Sequence, residues 1–140
     1  MPRSTIRYST EQRITAAEFS GVLRRSTLAD RRPTEERVLS RMLAGADVLA
    51  TAWCDSLLVG VSRAISDFAY CAYLSDLAVD VDFQREGIGR ELIRQTQEAA
   101  GLDVNLILLA APAAQSYYPH IGMQPHNSCW ILPRAPTPRR

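Results

Sequence analysis

The stretch Leu77–Arg94, LAVDVDFQREGIGRELIR, decides the reading of this 140-residue chain. The apolar run Leu74–Val79 passes through a short polar bend into Gln84-Arg85-Glu86-Gly87-Ile88-Gly89. An amphipathic stretch follows, with Ile88, Leu92, Ile93 and Thr96 on one side and Gly101 at its end. That order predicts a strand, a loop and a helix N-terminus. Glycines let a backbone approach a ligand closely, and the unpaired first-turn N–H groups and helix dipole favour an anion. The expected ligand is a phosphate or pyrophosphate. A glycine pair at such a joint is by itself only a tight turn, so the surrounding residues carry the argument.

Two nucleotide-binding patterns are excluded. A phosphate-binding loop of the Gly-Lys-Ser/Thr type is absent, because Arg90-Glu91 follow Gly89. A dinucleotide fingerprint needs a third glycine where Leu92 stands. What remains, Gln-x-x-Gly-x-Gly after a strand ending at Val79, closely resembles the acetyl-coenzyme A loop of the GNAT superfamily of N-acetyltransferases. The resemblance implies that the backbone of Arg85–Arg90 holds the coenzyme's pyrophosphate. Val81 departs from it, since many members carry proline after the strand-ending aspartate.

A second match, Tyr117-Tyr118-Pro119-His120-Ile121-Gly122-Met123, is similar to the family's aromatic-Tyr-x-x-aliphatic-Gly-aromatic string, with Met123 in the last aromatic place. The resemblance runs from Ile6 to Leu132 and is loosest over the first seventy residues. It implies acetyl-CoA as co-substrate, a primary amine as acceptor and direct transfer in a ternary complex. The cofactor-binding set it implies is Leu77, Ala78, Val79, Gln84, Arg85, Glu86, Gly87, Ile88, Gly89, Arg90 and Tyr118. Ala110, Ala111 and Pro112 stand where many members have an asparagine that touches the coenzyme.

Composition bounds the alternatives. With 46% hydrophobic residues the chain has material for one domain, and its net charge of +1 carries no nucleic-acid footprint. All 16 basic residues are arginine, which excludes a lysine Schiff base and points to a GC-rich bacterial genome. Cys54, Cys71 and Cys129 are too widely spaced for a metal knuckle or a redox pair. No apolar run approaches the ~20 residues of a membrane span, and no leader pattern opens the chain, so a cytoplasmic protein is expected.

The expected order begins with a strand at Ile6–Tyr8. A helix then opens with the capping box Thr15/Glu18 and runs to about Arg25, and a second starts at Pro33-Thr34 and ends near Gly45. Val48–Trp53 and Leu57–Ile65 read as a hairpin. Cys71–Val79 and Asn105–Leu109 read as strands flanking the central helix, which requires a parallel pair. A short helix at Ala113–Tyr118 and one or two closing strands up to Leu132 complete the pattern. The expectation is an α/β fold: a mixed, mostly antiparallel sheet with one parallel unit and helices on both faces, the fold the GNAT resemblance also implies. Residues 1–132 form the domain, and the Pro/Arg-rich 133–140 is expected to be a disordered tail.

Acetyl transfer needs a neutral amine, a donor for the oxyanion and a proton for the departing thiolate. The resemblance implies Tyr118 as the acid, and Tyr117 is expected to pack. Asp76, alone in the apolar run, is either the base or a structural aspartate accepting backbone N–H bonds; strict alternation places it with Leu74 and Ala78, opposite Ser75 and Leu77. His120 and His126 are expected at the surface, with no metal site. Arg85, Arg90 and Arg94 are placed to assist phosphates.

The resemblance puts the acceptor site at Arg24–Arg32, Ser66–Tyr70 and Ser116–Met123. Trp53, Phe68 and Tyr70, with Asp67, are candidates to hold an amine, and Trp53 is equally an ordinary core residue. A small amine, an aminoglycoside-like compound, an amino acid and a protein terminus all remain open. A homodimer is expected from the exposed edges of a short sheet. The alternatives to an active enzyme are a coenzyme A-binding sensor with little turnover and a structural domain with a decayed site.

Overall fold

The computed structural model describes residues 5–134; the expected tail lies outside them except for Pro133 and Arg134. Five strands form one sheet in the order β1 (Ile6–Ser9), β2 (Val48–Cys54), β3 (Leu57–Ser66), β4 (Cys71–Val79) and β5 (Asn105–Leu108). The first three pairings are antiparallel and β4–β5 is parallel. The parallel pair follows from the helix between them, since a parallel return needs a crossover.

Helices α1 (Ala16–Arg24) and α2 (Glu36–Ala44) cover one face, and α3 (Ile88–Ala100) covers the other. The α1 start is the capping box read in the sequence: Thr15 Oγ1 accepts from the Glu18 N–H and the Glu18 carboxylate accepts from the Thr15 N–H. α2 begins later than Pro33-Thr34, with Glu35 at its N-cap position and no side-chain cap. Phe19, Val22 and Leu23 of α1 and Leu39 of α2 pack on Trp53, Leu58, Val61 and Ala78. Beneath α3, Ile88 and Leu92 meet Ala50, Ala52 and Val59, while Ile93 and Ala100 meet Val48, Ala64 and Leu74. A buried hydroxyl pair, Ser62 Oγ and Thr96 Oγ1 at 2.7 Å, joins β3 to α3.

Strand alternation fails at one place. Arg63 pairs with Asp76 and Ala64 pairs with Leu74, which leaves Ser75 as the extra residue of a β-bulge. Leu74 and Leu77 therefore both pack toward α3, while Asp76 and Ala78 face α1 and α2. The expected sharing of a face by Asp76 and Ala78 holds; Leu74 lies on the opposite side.

The closing strands are the second departure. After β5 come a 3₁₀ turn at Pro112–Ala114 and the single-turn α4 (Tyr117–His120), and residues 121–134 form neither helix nor strand. Gly122 sits at φ +92°, turning the chain, and Pro125 removes a ladder donor, so only a short piece remains before Pro133. Trp130, Ile131 and Leu132 are 91%, 72% and 97% exposed.

Candidate active site

The loop after β4 is anchored before it reaches its glycines. Buried Asp80 accepts from Arg25 Nε at 2.8 Å and from the Asp82 N–H at 2.9 Å, and Arg25 also donates to the Leu58 carbonyl. Gln84 Nε2 donates to the Val79 carbonyl at 3.1 Å, so its side chain braces the loop against the strand it has left. Arg85 (φ +67°) and Gly87 (φ +82°) are left-handed, which turns the chain sharply into α3.

Gly87 is the N-cap residue of α3, and no side chain caps that end. The Glu91 N–H bonds the Gly87 carbonyl, so the N–H groups of Ile88, Gly89 and Arg90 are those the helix itself leaves unsatisfied. A Cβ on Gly87 would meet nothing within 4 Å, so its surroundings are open. Arg85 and Arg90 are exposed beside it and make no ion pair with the described residues. This is an anion cradle built mainly of backbone, and it fits a pyrophosphate. Arg94 does not belong to it: Glu91 and Glu98 hold its guanidinium on the outer side of the helix, and the charge-assisted hydrogen bonds to Arg94 keep the Glu91 carboxyl below its ordinary range. A Cβ on Gly89 would lie 2.8 Å from the Tyr117 hydroxyl, which places that phenol over the start of α3.

β4 and β5 pair only from Cys71 to Leu74. Beyond that point the strands part, and the outer edge of β4 from Ser75 to Val79 has no strand partner among the described residues. The opening is walled by Leu74, Ser75 and Leu77 on one side and by Leu108, Leu109, Ala111, Ala114 and Tyr118 on the other, with Thr27, Leu28 and Arg32 across it. Tyr118 stacks edge-on against Tyr117, ring centroids 5.4 Å apart. Burial raises the Tyr118 hydroxyl pKa above its ordinary value, Tyr117 adds to the rise and the Arg32 guanidinium opposes it. The hydroxyl is thus a protonated donor at neutral pH.

Asp76 is fully buried, but its partners are not backbone N–H groups. Arg32 Nε donates to one carboxylate oxygen and Arg63 Nε to the other. Arg32 also donates to the carbonyl of the bulge residue Ser75 at 2.8 Å, and Arg63 donates to the Ser75 hydroxyl at 3.0 Å. Both carboxylate oxygens of Asp76 are thus engaged by guanidinium N–H groups. The evident work of Asp76 is to hold Arg32 at the cleft. Neither arginine emerges from the local sequence pattern, although a lone arginine in β3 and a lone aspartate in β4 at facing positions is the signal that would pair them.

The aromatic candidates separate. Trp53 is buried in the core, donates to Thr51 Oγ1 at 2.9 Å and carries Arg7 over its ring, so it is a packing residue. Phe68 and Tyr70 are exposed at the β3–β4 bend, the far end of β4 from Val79. Asp67 Oδ1 accepts the N–H groups of Tyr70, Ala69 and Cys71, which hold its carboxyl below the usual range and commit it to the bend. His120 and His126 are exposed. Among the described residues no three His, Cys, Asp or Glu side chains gather as metal ligands, and no helix is long and apolar enough to cross a membrane.

Comparison with known proteins agrees with this geometry. An acetyltransferase (GNAT) domain model matches residues 10–129. An uncharacterised N-acetyltransferase, ycf52, from Gracilaria tenuistipitata var. liui is 36% identical over 67 residues, which cover 46% of this chain and 37% of that relative; the chain therefore spans little more than a third of its length. Among solved structures, protein SA2161 from meticillin-resistant Staphylococcus aureus superposes with TM-score 0.79 at 17% identity, covering 94% of this chain and 100% of the other. The GNAT family protein SP0256 from Streptococcus pneumoniae gives 0.69 at 18% identity, covering 93% and 100%. The aminoglycoside acetyltransferase meta-AAC0020 from an uncultured soil sample, solved with sisomicin, gives 0.66 at 19% identity, covering 95% and 96%. With the family model spanning most of the chain and the strand–loop–helix unit in place, this protein belongs to the GNAT acetyltransferase family.

Proposed function

We propose that the chain transfers the acetyl group of acetyl-CoA to a primary amine by direct attack in a ternary complex. The observation that carries this reading is one conjunction. An uncapped, glycine-led helix N-terminus opens beside a cleft where β4 has parted from β5 and Tyr118 forms the wall. Acetyl-CoA supplies the activated thioester carbonyl.

The chain's own residues do the rest. N–H groups of Arg85–Arg90 hold the pyrophosphate, with Arg85 and Arg90 adding charge and Gln84 bracing the loop. The free edge of β4 at Leu77–Val79 offers N–H groups to the carbonyl oxygen as negative charge develops there. Tyr118 gives its proton to the departing sulfur. Asp76 serves as the anchor of Arg32, and the ammonium proton leaves through water. A cytoplasmic homodimer is the setting proposed for this activity. The neighbour solved with sisomicin supports an amine acceptor as a class without naming the one used here.

The occupied state of Asp76 favours one alternative, a coenzyme A-binding sensor with little or no turnover. Thiol release from acetyl-CoA with a panel of amines separates the two. Turnover on some amine that falls by about 10²-fold or more in Tyr118→Phe, with acetyl-CoA still raising the melting temperature, is expected for the enzyme. Stabilisation by acetyl-CoA with no turnover on any amine selects the sensor. Absence of both removes the two readings together.

A further inference from the structure

The cleft between β4 and β5 continues, past Leu28, Arg32, Ser75, Leu109 and Ala111, into a second cavity of about 490 Å³. Arg31 and Arg134 line that cavity together with Arg32, and Tyr73 completes its wall. Among the described residues no aspartate or glutamate lines either part. Asp76 is buried and shared by two guanidinia, so its one negative charge faces the positive charges of Arg32 and Arg63. One positive charge is left over at the cleft floor before Arg31 and Arg134 are added. Neither of those two makes an ion pair with the described residues.

A substrate amine arrives as a cation, and a cleft of this sign repels it unless the molecule also carries an anion. Planar guanidinium forks suit a carboxylate, and Leu28, Tyr73, Leu109 and Ala111 offer apolar surface beside them. We infer that the acceptor is a primary amine that also carries a carboxylate and an apolar body, as an α-amino acid does. Arg31 and Arg134 hold the carboxylate, and Arg32, fixed by Asp76, orients it so that the amine points toward the Tyr118 side. The same charge excludes polycations such as aminoglycosides. This inference rests on the acetyl-transfer reading above.

The experiment compares phenylalanine with phenethylamine, its decarboxylated counterpart, and with an aminoglycoside, by thiol release from acetyl-CoA. A kcat/KM about tenfold or more higher for phenylalanine is expected, the size of one or two charge-assisted hydrogen bonds. Arg31→Ala should raise KM for phenylalanine with kcat little changed and lower KM for phenethylamine, whose cation is then repelled less. A second arm needs no turnover: the CoA-loaded protein is titrated with N-acetylphenylalanine and with N-acetylphenethylamine, and tighter binding of the former is expected. If that preference appears while no amine is acetylated, the transfer reading fails and the carboxylate site stands. Equal or reversed preference in both arms overturns the inference. So does a loss of acetyl-CoA affinity in Arg31→Ala, which would place that guanidinium on the coenzyme.

Discussion

Arg32 and Asp76 stand 44 residues apart in the chain and meet as a partly buried ion pair, with Arg63 closing the other side of the same carboxylate. The triad ties the α1–α2 connection to the bulge of β4, and so joins two walls of the cleft. Asp76→Asn leaves two guanidinia without their anion in a poorly solvated place, and a loss of about 3–5 kcal/mol of stability is expected. Denaturant unfolding measures it. A variant of unchanged stability that loses only kcat would return Asp76 to the role of base.

Glycine requirements differ between the two loop positions. Gly87→Ala forces a Cβ into a left-handed residue, which costs about 1–2 kcal/mol although space is open. Gly89→Val meets the Tyr117 hydroxyl and fills the cradle, and acetyl-CoA should no longer raise the melting temperature. Adding Tyr117→Ala relieves the contact with the phenol but not the filling of the cradle. Restored coenzyme stabilisation in the double variant would show that Tyr117, and not the pyrophosphate, sets the need for glycine.

Stability should form a plateau across neutral pH and fall at both ends. Burial raises the hydroxyl pKa of Tyr117, against Arg90, and of Tyr118, against Arg32, so the folded state keeps those protons longer than the unfolded chain. Their contribution is complete below the ordinary tyrosine value of about 10 and is lost as pH rises through the higher folded values. Asp67 works in the opposite sense. Its carboxyl is lowered by the N–H groups of Tyr70, Ala69 and Cys71, so its contribution is present above about pH 3.9 and lost as pH falls through the folded value. Denaturation midpoints against pH, with Tyr118→Phe and Asp67→Ala, should flatten the alkaline and acid limbs respectively.

A second copy of the chain is expected to cover part of the surface. β1 and β5 are both sheet edges, Ile107 and Leu109 are exposed at β5, and Trp130–Leu132 form an exposed apolar run. Light scattering at micromolar concentration should give twice the mass of the 15.6 kDa chain. Replacing Trp130, Ile131 and Leu132 by serine should return a monomer that keeps its melting transition; a monomeric parent protein would dispose of the idea.

The parts legible in the sequence are those governed by short-range physics. The Thr15/Glu18 cap, the apolar side of α3 and its end at Gly101 follow from spacing a few residues long. The Gly87–Gly89 turn is likewise local. Strict alternation misplaced Leu74 because the bulge at Ser75 is set by the register with β3, which β4 alone does not encode. Arg63 escapes for the same reason, and Arg32 enters only as the end of the acceptor segment Arg24–Arg32 that the resemblance implies: their meaning lies in Asp76, reached only after folding. The one or two closing strands expected up to Leu132 do not form, because a strand also needs length and a partner with matching edge.

The Ser75 bulge gives the cleft a particular mutational tolerance. Side chains along β4 can be exchanged one at a time while each neighbour keeps its orientation. Deleting the single residue Ser75 would instead make the strand regular, with Leu74 still opposite Ala64, Asp76 still opposite Arg63 and their faces unchanged. Leu74 and Leu77 would still face α3, but the carbonyl that receives Arg32 and the hydroxyl that receives Arg63 would be gone. The strand can therefore lose that residue without refacing its core and still lose its hold on both arginines.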